Sequence, residues 1–300
     1  MKTLCIAHVF YPEFWPELAA CIRNVDGPLD LVVTYVDDTK GIPEMVLRDF
    51  PRARMLLCEN RGFDVWPFLK ALGEVDLSSY DIIVKLHTKR DVKASHALIF
   101  NHRNYLGPRW RNYLLGFIRR PEDWTATKRR FDDPRVGMVA DARVILRKDD
   151  VPWRTPRFTV TRSNEFTEHL YGRPLAEEPQ FVAGTMFAVR PAVFGRLLAR
   201  GWSVDDFSAS VRDGTEQTAH LLERVFGAVV SMEGLRIEPC HGTLAASRFR
   251  ACLIGIARAI GLFLLDVHRV DGRLLVKVLR LSVYRGPRPA GTGGKESSSQ

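Results

Sequence analysis

The sequence predicts an α/β fold with a mainly parallel sheet flanked by helices, and three observations carry that reading. Four short apolar runs, at residues 4–9, 29–36, 55–58 and 82–86, have strand length, and all but the third carry β-branched residues. The segments between them are long enough for helices and carry helix start and stop residues. Strands alternating with helix-length segments imply right-handed βαβ units, whose strands lie parallel.

The first strand leads into a helix over 14–24, stopped by Asp26-Gly27-Pro28. The second ends at Asp37-Asp38, and Pro43 stands where a first helical turn tolerates it, ahead of a helix over 44–50. The third gives way to a helix over 65–72. Residues 91–108 are polar and irregular; a helix fits 110–118 and a short strand 136–140. The stretch 147–180, rich in Arg, Pro, Glu and Thr, reads as a lid or an ordered loop. Residues 181–190 read as a strand interrupted by Gly184, where a bulge, a close approach or a packing need would place glycine. A helix opened by Pro191 runs to 199, another spans 215–226, and a short strand covers 228–231.

With 300 residues, 46% hydrophobic and 26% charged, the chain is ordinary globular material. Its five cysteines, Cys5, Cys21, Cys58, Cys240 and Cys252, show no C-x-x-C spacing and read as reduced, buried thiols of a reducing compartment. No run approaches the length of a spanning helix, and His8 interrupts the N-terminal run too soon for a signal peptide, so a cytoplasmic location is expected. The net charge of +9 is uneven: ten Lys/Arg against three Asp/Glu lie from Leu244 onward, leaving the first 243 residues at only +2. A near-neutral body argues against nucleic acid as partner. The histidines lack zinc-ligand spacing, and neither G-x-x-x-x-G-K-[ST] nor G-x-S-x-G occurs.

Candidate chemistry gathers at strand ends. Side chains alternate along a strand, so Lys85, His87 and Lys89 point one way and Val84, Leu86 and Thr88 the other. A cationic row at the C-terminal end of a strand, where open α/β sheets bind ligands, suits a phosphate-bearing molecule; a solvated strand end is the plain alternative. His8 closes the first strand, and the turn Asn60-Arg61-Gly62 follows the third. Asp64 suits a sugar or ribose hydroxyl and equally suits the N-cap of the helix that begins at Val65. Trp66 and Phe68 read as core.

The runs His8-Val9-Phe10-Tyr11-Pro12, Glu59-Asn60-Arg61-Gly62-Phe63-Asp64, Lys85-Leu86-His87-Thr88-Lys89 and Trp110-Arg111-x-Tyr113-Leu114-Leu115-x-Phe117 resemble the rhamnan-synthesis protein F family. So do Val136-Gly137-Met138-Val139-Ala140, Ala183-Gly184-Thr185-Met186-Phe187 and His220-x-x-Glu223-Arg224, all in the family's order across about residues 4–243. The resemblance implies a bacterial glycosyltransferase-like protein of cell-surface polysaccharide synthesis, with rhamnose the family's best-known sugar. The layout also resembles GT-A nucleotide-sugar transferases, which implies a GT-A-like, Rossmann-like sheet. Those enzymes end the fourth strand in an Asp-x-Asp that holds a divalent metal on the diphosphate. Here Lys85-x-His87-x-Lys89 stands in that place and no Asp-x-Asp occurs. Fixed lysines can hold a departing diphosphate directly, so a transferase without a cofactor or metal is expected, with Asp37 and Asp38 as a reserve metal site.

On this resemblance His8, Asn60, Arg61, Asp64, Lys85, His87, Lys89 and His241 serve the donor, and Gly184 and Thr185 lie on the acceptor side. Glu216, with Asp213 as runner-up, is the expected base for the acceptor hydroxyl; both also read as residues that start a helix. His220, Glu223 and Arg224 read as a structural network. A non-catalytic nucleotide-sugar- or glycan-binding component of a polysaccharide assembly system is the alternative. The chain is expected to divide into a transferase body, 1–243, a basic amphipathic segment, 244–285, and a disordered tail, 286–300. On a helix, Arg269, Arg273, Lys277 and Arg280 would form one stripe suited to an anionic membrane surface; a hairpin across Asp271-Gly272 and a helix packed on the body are the alternatives. Expected partners are a nucleotide-sugar donor, a glycan or lipid-linked acceptor, and the inner face of the cytoplasmic membrane.

Overall fold

The computed structural model describes residues 1–92, 99–100, 103–104, 106–147, 150, 157–208, 218–270, 273–278 and 281–285. The first four strands fall on the expected runs: β1 (Thr3–Val9), β2 (Leu29–Tyr35), β3 (Arg54–Leu57) and β4 (Ile82–His87). Between them lie α1 (Trp15–Ile22), α2 (Ile42–Asp49) and α3 (Val65–Gly73). Then come a two-strand pairing of β5 (Ile99–Phe100) with β6 (Arg103–Asn104), α4 (Arg109–Leu114), α5 (Pro121–Arg130), β7 (Val136–Ala140), β8 (Ile145–Leu146) and α6 (Arg157–Tyr171). β9 (Phe181–Val182), β10 (Phe187–Val189), α7 (Gly195–Ala199), α8 (Thr218–Met232) and β11 (Arg236–Pro239) follow.

Seven strands form one sheet in the order β11-β7-β10-β4-β1-β2-β3, with β10 antiparallel to both neighbours and the other pairings parallel. β1 and β4 lie in its middle and are buried along their whole length, which is why their sequences run apolar without alternation. α3 buries seven of its nine residues. Its Phe68 meets Phe187 of β10, Phe194 and Phe226 of α8 with ring centroids 5.6–6.2 Å apart and planes steeply inclined. Such pairs contribute about 0.5–1.5 kcal/mol each beyond their buried area.

Several expectations are corrected. The strand expected over 228–231 is the end of α8: Ala228, Val229 and Val230 are buried, and packing overrides their β-branched preference. The strand expected over 181–190 is two strands in different sheets, because Gly184 (φ 77°) and Thr185 (φ 54°) turn the chain between β9, which pairs with β8, and β10. α5 went unread because among its ten residues only Asp123, Trp124 and Thr127 are buried, too few to print a period. The stretch 147–180 contains α6, so much of the expected lid or loop is helix.

The chain divides into two compact units, Met1–Arg248 and Phe249–Gln300, and the break falls inside α9 (Leu244–Leu264). The second unit continues in an antiparallel sheet of β12 (Leu265–Val270), β13 (Arg273–Val278) and β14 (Leu281–Arg285). The helical stripe of Arg269, Arg273 and Lys277 is therefore not formed; Arg280 lies outside the described residues. Val270 pairs with Arg273, leaving Asp271-Gly272 as a two-residue connection, the strongest short hairpin signal. Residues 286–300, expected to be disordered, lie outside the described residues. Among the described residues no helix is long and apolar enough to cross a membrane.

α8 passes so close to the chain before β9 that a Cβ on Gly227 would stand 2.0 Å from the Gln180 carbonyl oxygen and 2.6 Å from Phe181 Cα. Gly227→Ala must push these backbones away from each other and is expected to lower unfolding stability by about 3 kcal/mol or more. Gly73→Ala, with nothing within 4 Å of the new atom, should be neutral or stabilising. Denaturant unfolding of both variants checks this; a neutral Gly227→Ala would contradict it.

Candidate active site

The sheet order places β4 and β2 on either side of β1, so the chain reverses direction across the sheet at the β1–β4 boundary. Crevices at such a reversal, outside the C-terminal strand ends, are where open α/β sheets bind ligands. His8 and His87 sit side by side there in register, and Thr34 is paired with His8 from β2. β10 runs the other way, so the turn that precedes it, Gly184-Thr185, reaches the same edge.

Three segments, the start of α3, the end of β4 and the turn before β10, meet at one carboxylate. Asp64 stands at the N-cap position of α3, yet its side chain makes no capping bond. Its Oδ2 instead pairs with Lys85 Nζ and accepts from Thr185 Oγ1 at 2.5 Å, with His87 Nδ1 3.4 Å away. Lys85 Nζ also donates to Thr185 Oγ1 at 2.9 Å and lies 5.2 Å above the Phe68 ring. The Lys85 side chain is only 1% exposed, so it is no solvated strand end. Two residues beside this knot, Phe63 and Thr185, both have φ of 54°, a left-handed backbone that a β-branched threonine rarely takes. Glu223 of α8 holds the second of these turns, its Oε1 accepting from the Gly184 amide at 2.6 Å.

Burial sets the charge states. It pushes His8 down to about 4, outweighing the opposing pull of Asp64, and His8 is neutral at pH 7 with Nδ1 3.0 Å from Thr34 Oγ1. Burial likewise holds His87 well below the ordinary histidine value, and among the described residues neither of its ring nitrogens has a hydrogen-bond partner. Burial alone would raise the Asp64 carboxyl, but His87, Lys85 and Lys89 outweigh it and keep the group well below the usual carboxylate range. Lys85, lowered by burial and supported by Asp64, has its charge balanced within the knot. Lys89 is half-buried, its charge is felt at Asp64, His87 and His220, and among the described residues its ammonium has no ion-pair partner. It is the surplus cation of the cluster.

Residues 1–234 match the rhamnan synthesis protein F family. The chain belongs to that family. Two curated relatives, both named uncharacterized protein WxcX, come from Xanthomonas campestris pv. campestris strains B100 and ATCC 33913 and are 25% and 24% identical over 250 residues. Those matches take in 81% of this chain and 33% of each relative, so the chain spans about a third of the length of the curated relatives it matches. Among solved structures, residues 1–349 of TarS from S. aureus overlap with a TM-score of 0.38 at 13% identity, covering 85% of this chain and 65% of that one. Glucosyl-3-phosphoglycerate synthase from Mycobacterium tuberculosis, solved with Mn2+, uridine diphosphate and glucosyl-3-phosphoglycerate, overlaps with a TM-score of 0.32 at 13% identity, covering 95% and 90%.

In this rhamnan synthesis protein F chain the structure gathers His8, Asp64, Lys85, His87, Lys89, Gly184 and Thr185. Arg61 stands apart, its guanidinium 3.3 Å from Asp205, and Asn60 is exposed. His241 follows β11, at the far edge of the sheet, where its Nε2 meets Asp123 Oδ1 at 2.8 Å beside a cleft of about 290 Å³ lined by Arg129, Arg130 and Cys240. Asp37 accepts from the Thr39 amide and hydroxyl at 3.0 and 2.6 Å, the work of a turn cap. Asp213 and Glu216 lie outside the described residues. The sequence reading missed Thr34, Thr88 and Arg111. Thr88 Oγ1 accepts from the Phe10 and Tyr11 amides at 3.0 and 2.9 Å and pins the loop after β1. Arg111 pairs with Glu17 and Asp91 and donates to the Lys89 carbonyl at 3.2 Å, which fixes the backbone that carries Lys89.

Removing Lys85 would strand a buried carboxylate. Lys85→Met is expected to lower stability by about 3–5 kcal/mol. Lys85→Met/Asp64→Asn should fall short of the summed single losses by about 1–3 kcal/mol in a denaturant double-mutant cycle. Strict additivity would contradict the coupling.

The buried histidines give a pH signature. Between the ordinary 6.5 and about 4, the unfolded chain binds a proton at His8 that the folded chain refuses. Stability therefore falls as pH drops through that window and levels off below it, with His8 contributing about 3 kcal/mol at most and His87 acting in the same direction. His8→Gln should flatten some of the slope in urea midpoints taken from pH 7.5 to 4.5; a wild-type profile flat over that range would contradict it.

Proposed function

We propose that the chain is a glycosyltransferase that moves a sugar from a nucleotide-sugar donor to a growing surface glycan or lipid-linked acceptor, without a divalent metal. The observation that carries this reading is the buried, cation-surplus cluster at the β1–β4 boundary of a chain belonging to a rhamnan synthesis family. Rhamnose, the sugar from which a rhamnan is built, is the first donor sugar to test.

In this reading the acceptor hydroxyl attacks the anomeric carbon, the bond to the diphosphate oxygen breaks, and negative charge develops on the departing nucleoside diphosphate. Lys89 meets that charge with an unspent ammonium. The neutral imidazoles of His8 and His87 can donate hydrogen bonds without bringing charge of their own. Asp64, held ionised by Lys85, offers its second oxygen to a donor hydroxyl. Glu216, with Asp213 in reserve, takes the acceptor's proton.

What supports the metal-independent element is the state of the described carboxylates. Asp64 is paired with an ammonium, Asp37 caps a turn, and among the described residues no group of three or more His, Cys, Asp or Glu is placed to hold an ion.

Purified chain incubated with a panel of nucleotide sugars and acceptor glycans is expected to release nucleoside diphosphate in the presence of a chelator, with Lys89→Met slowing turnover about 100-fold. Turnover abolished by chelator and restored by Mg2+ or Mn2+ would remove the metal-independent element of the proposal. Tight donor binding without turnover, acceptors included, would leave the non-catalytic binding component as the reading.

A further inference from the structure

α9 turns its large apolar side chains outward. Phe249, Leu253, Ile256 and Ile260 recur at spacings of four, three and four, which puts them on one helix face. They are 65%, 48%, 51% and 53% exposed. On the opposite side stand small residues, the fully buried Ala251 and the half-buried Gly255. A soluble helix would do the reverse. The stripe runs about 16 Å along the axis.

We infer that this face of α9 seats on an anionic membrane surface. Its charge pattern favours lipid. The helix carries Arg248, Arg250 and Arg258 and no Asp or Glu over 21 residues. Arg250 flanks the stripe and is exposed, while Arg248 is held by Asp150 at 3.0 Å. From Leu244 onward the chain has ten Lys/Arg against three Asp/Glu, a surplus that adds electrostatic attraction to an anionic leaflet. An apolar face bordered by arginine and free of carboxylates is the composition of an interfacial helix. The helix lies in the surface and does not cross it. Membrane attraction thus moves from the segment 269–281, which forms strands, to the helix before it.

The test is co-sedimentation of the full chain with vesicles of phosphatidylcholine, alone and mixed with phosphatidylglycerol, with folding followed by circular dichroism and oligomeric state by sedimentation velocity. Binding is expected on the anionic vesicles and should weaken with added salt. Leu253→Asn/Ile256→Asn should reduce the bound fraction about tenfold or more with the fold and the oligomeric state unchanged. Arg250→Glu should weaken binding on anionic vesicles and leave the weak binding to phosphatidylcholine alone as it was. Equal sedimentation of wild type and the double variant would overturn the inference. So would a wild-type dimer that the double variant dissociates, which would make the face an interface between copies, or failure of the wild type to bind anionic vesicles.

Discussion

The Lys85–Asp64 pair is the contact on which the rest of the site depends. Taking either charge out of water costs several kcal/mol, and the aromatic floor beneath offers Lys85 the face of Phe68 but no hydrogen bond. What offsets that cost is mutual attraction plus the Thr185 hydroxyl, which donates to Asp64 and accepts from Lys85. Each partner comes from a different place: the start of α3, the end of β4 and the turn before β10. The three segments therefore close together or not at all. Left-handed backbone at Phe63 and Thr185 costs about 1–3 kcal/mol per residue, and it lies next to the two groups that must reach Lys85. The strain persists because the hydrogen bonds on both sides over-determine the geometry.

This arrangement changes what the row Lys85, His87, Lys89 means. Alternation along a strand suggested three like groups facing a ligand. Their charges differ in fate: Lys85 is balanced by Asp64, His87 is neutral because it is buried, and Lys89 keeps a charge with no ion-pair partner among the described residues. Among the described residues this edge accordingly presents one unpaired cation beside neutral imidazoles. A basic row in a sequence states where charges are placed, and burial decides which of them are still available.

Much of the site was legible because it lies at the ends of strands whose apolar runs are continuous. His8 and the Lys85-to-Lys89 row could be placed at one sheet edge from period and order alone. Asp64 was legible only as a choice, since a residue before a helix reads as a cap by default. Its true partners stand 21 and 121 positions away, and a long-range pairing leaves no local signature. Thr34 is visible only once the β1–β2 register is known. The break between β9 and β10 was half legible: Gly184 flagged an irregularity, but nothing near it told that the two halves join different sheets. The C-terminal stripe failed for a more general reason. Basic residues at helical spacing among apolar ones satisfy two patterns, and there the pairing of Val270 with Arg273 shows strands.

Arg111 shows how the site can be rigid and still leave a cation free. Its guanidinium bridges Glu17 and Asp91, stacks 4.4 Å from Phe14 and holds the Lys89 carbonyl, so the main chain beyond β4 is tied to the segment that follows β1. Thr88 ties the same two segments from the other side through the Phe10 and Tyr11 amides. The backbone on both flanks of Lys89 is thus fixed, while among the described residues its side chain has no ion-pair partner. That separation, with one pair of charges closed into the floor and Lys89 half-buried at the rim, lets an ion pair and a second cation stand four residues apart at one strand end without competing for the same carboxylate.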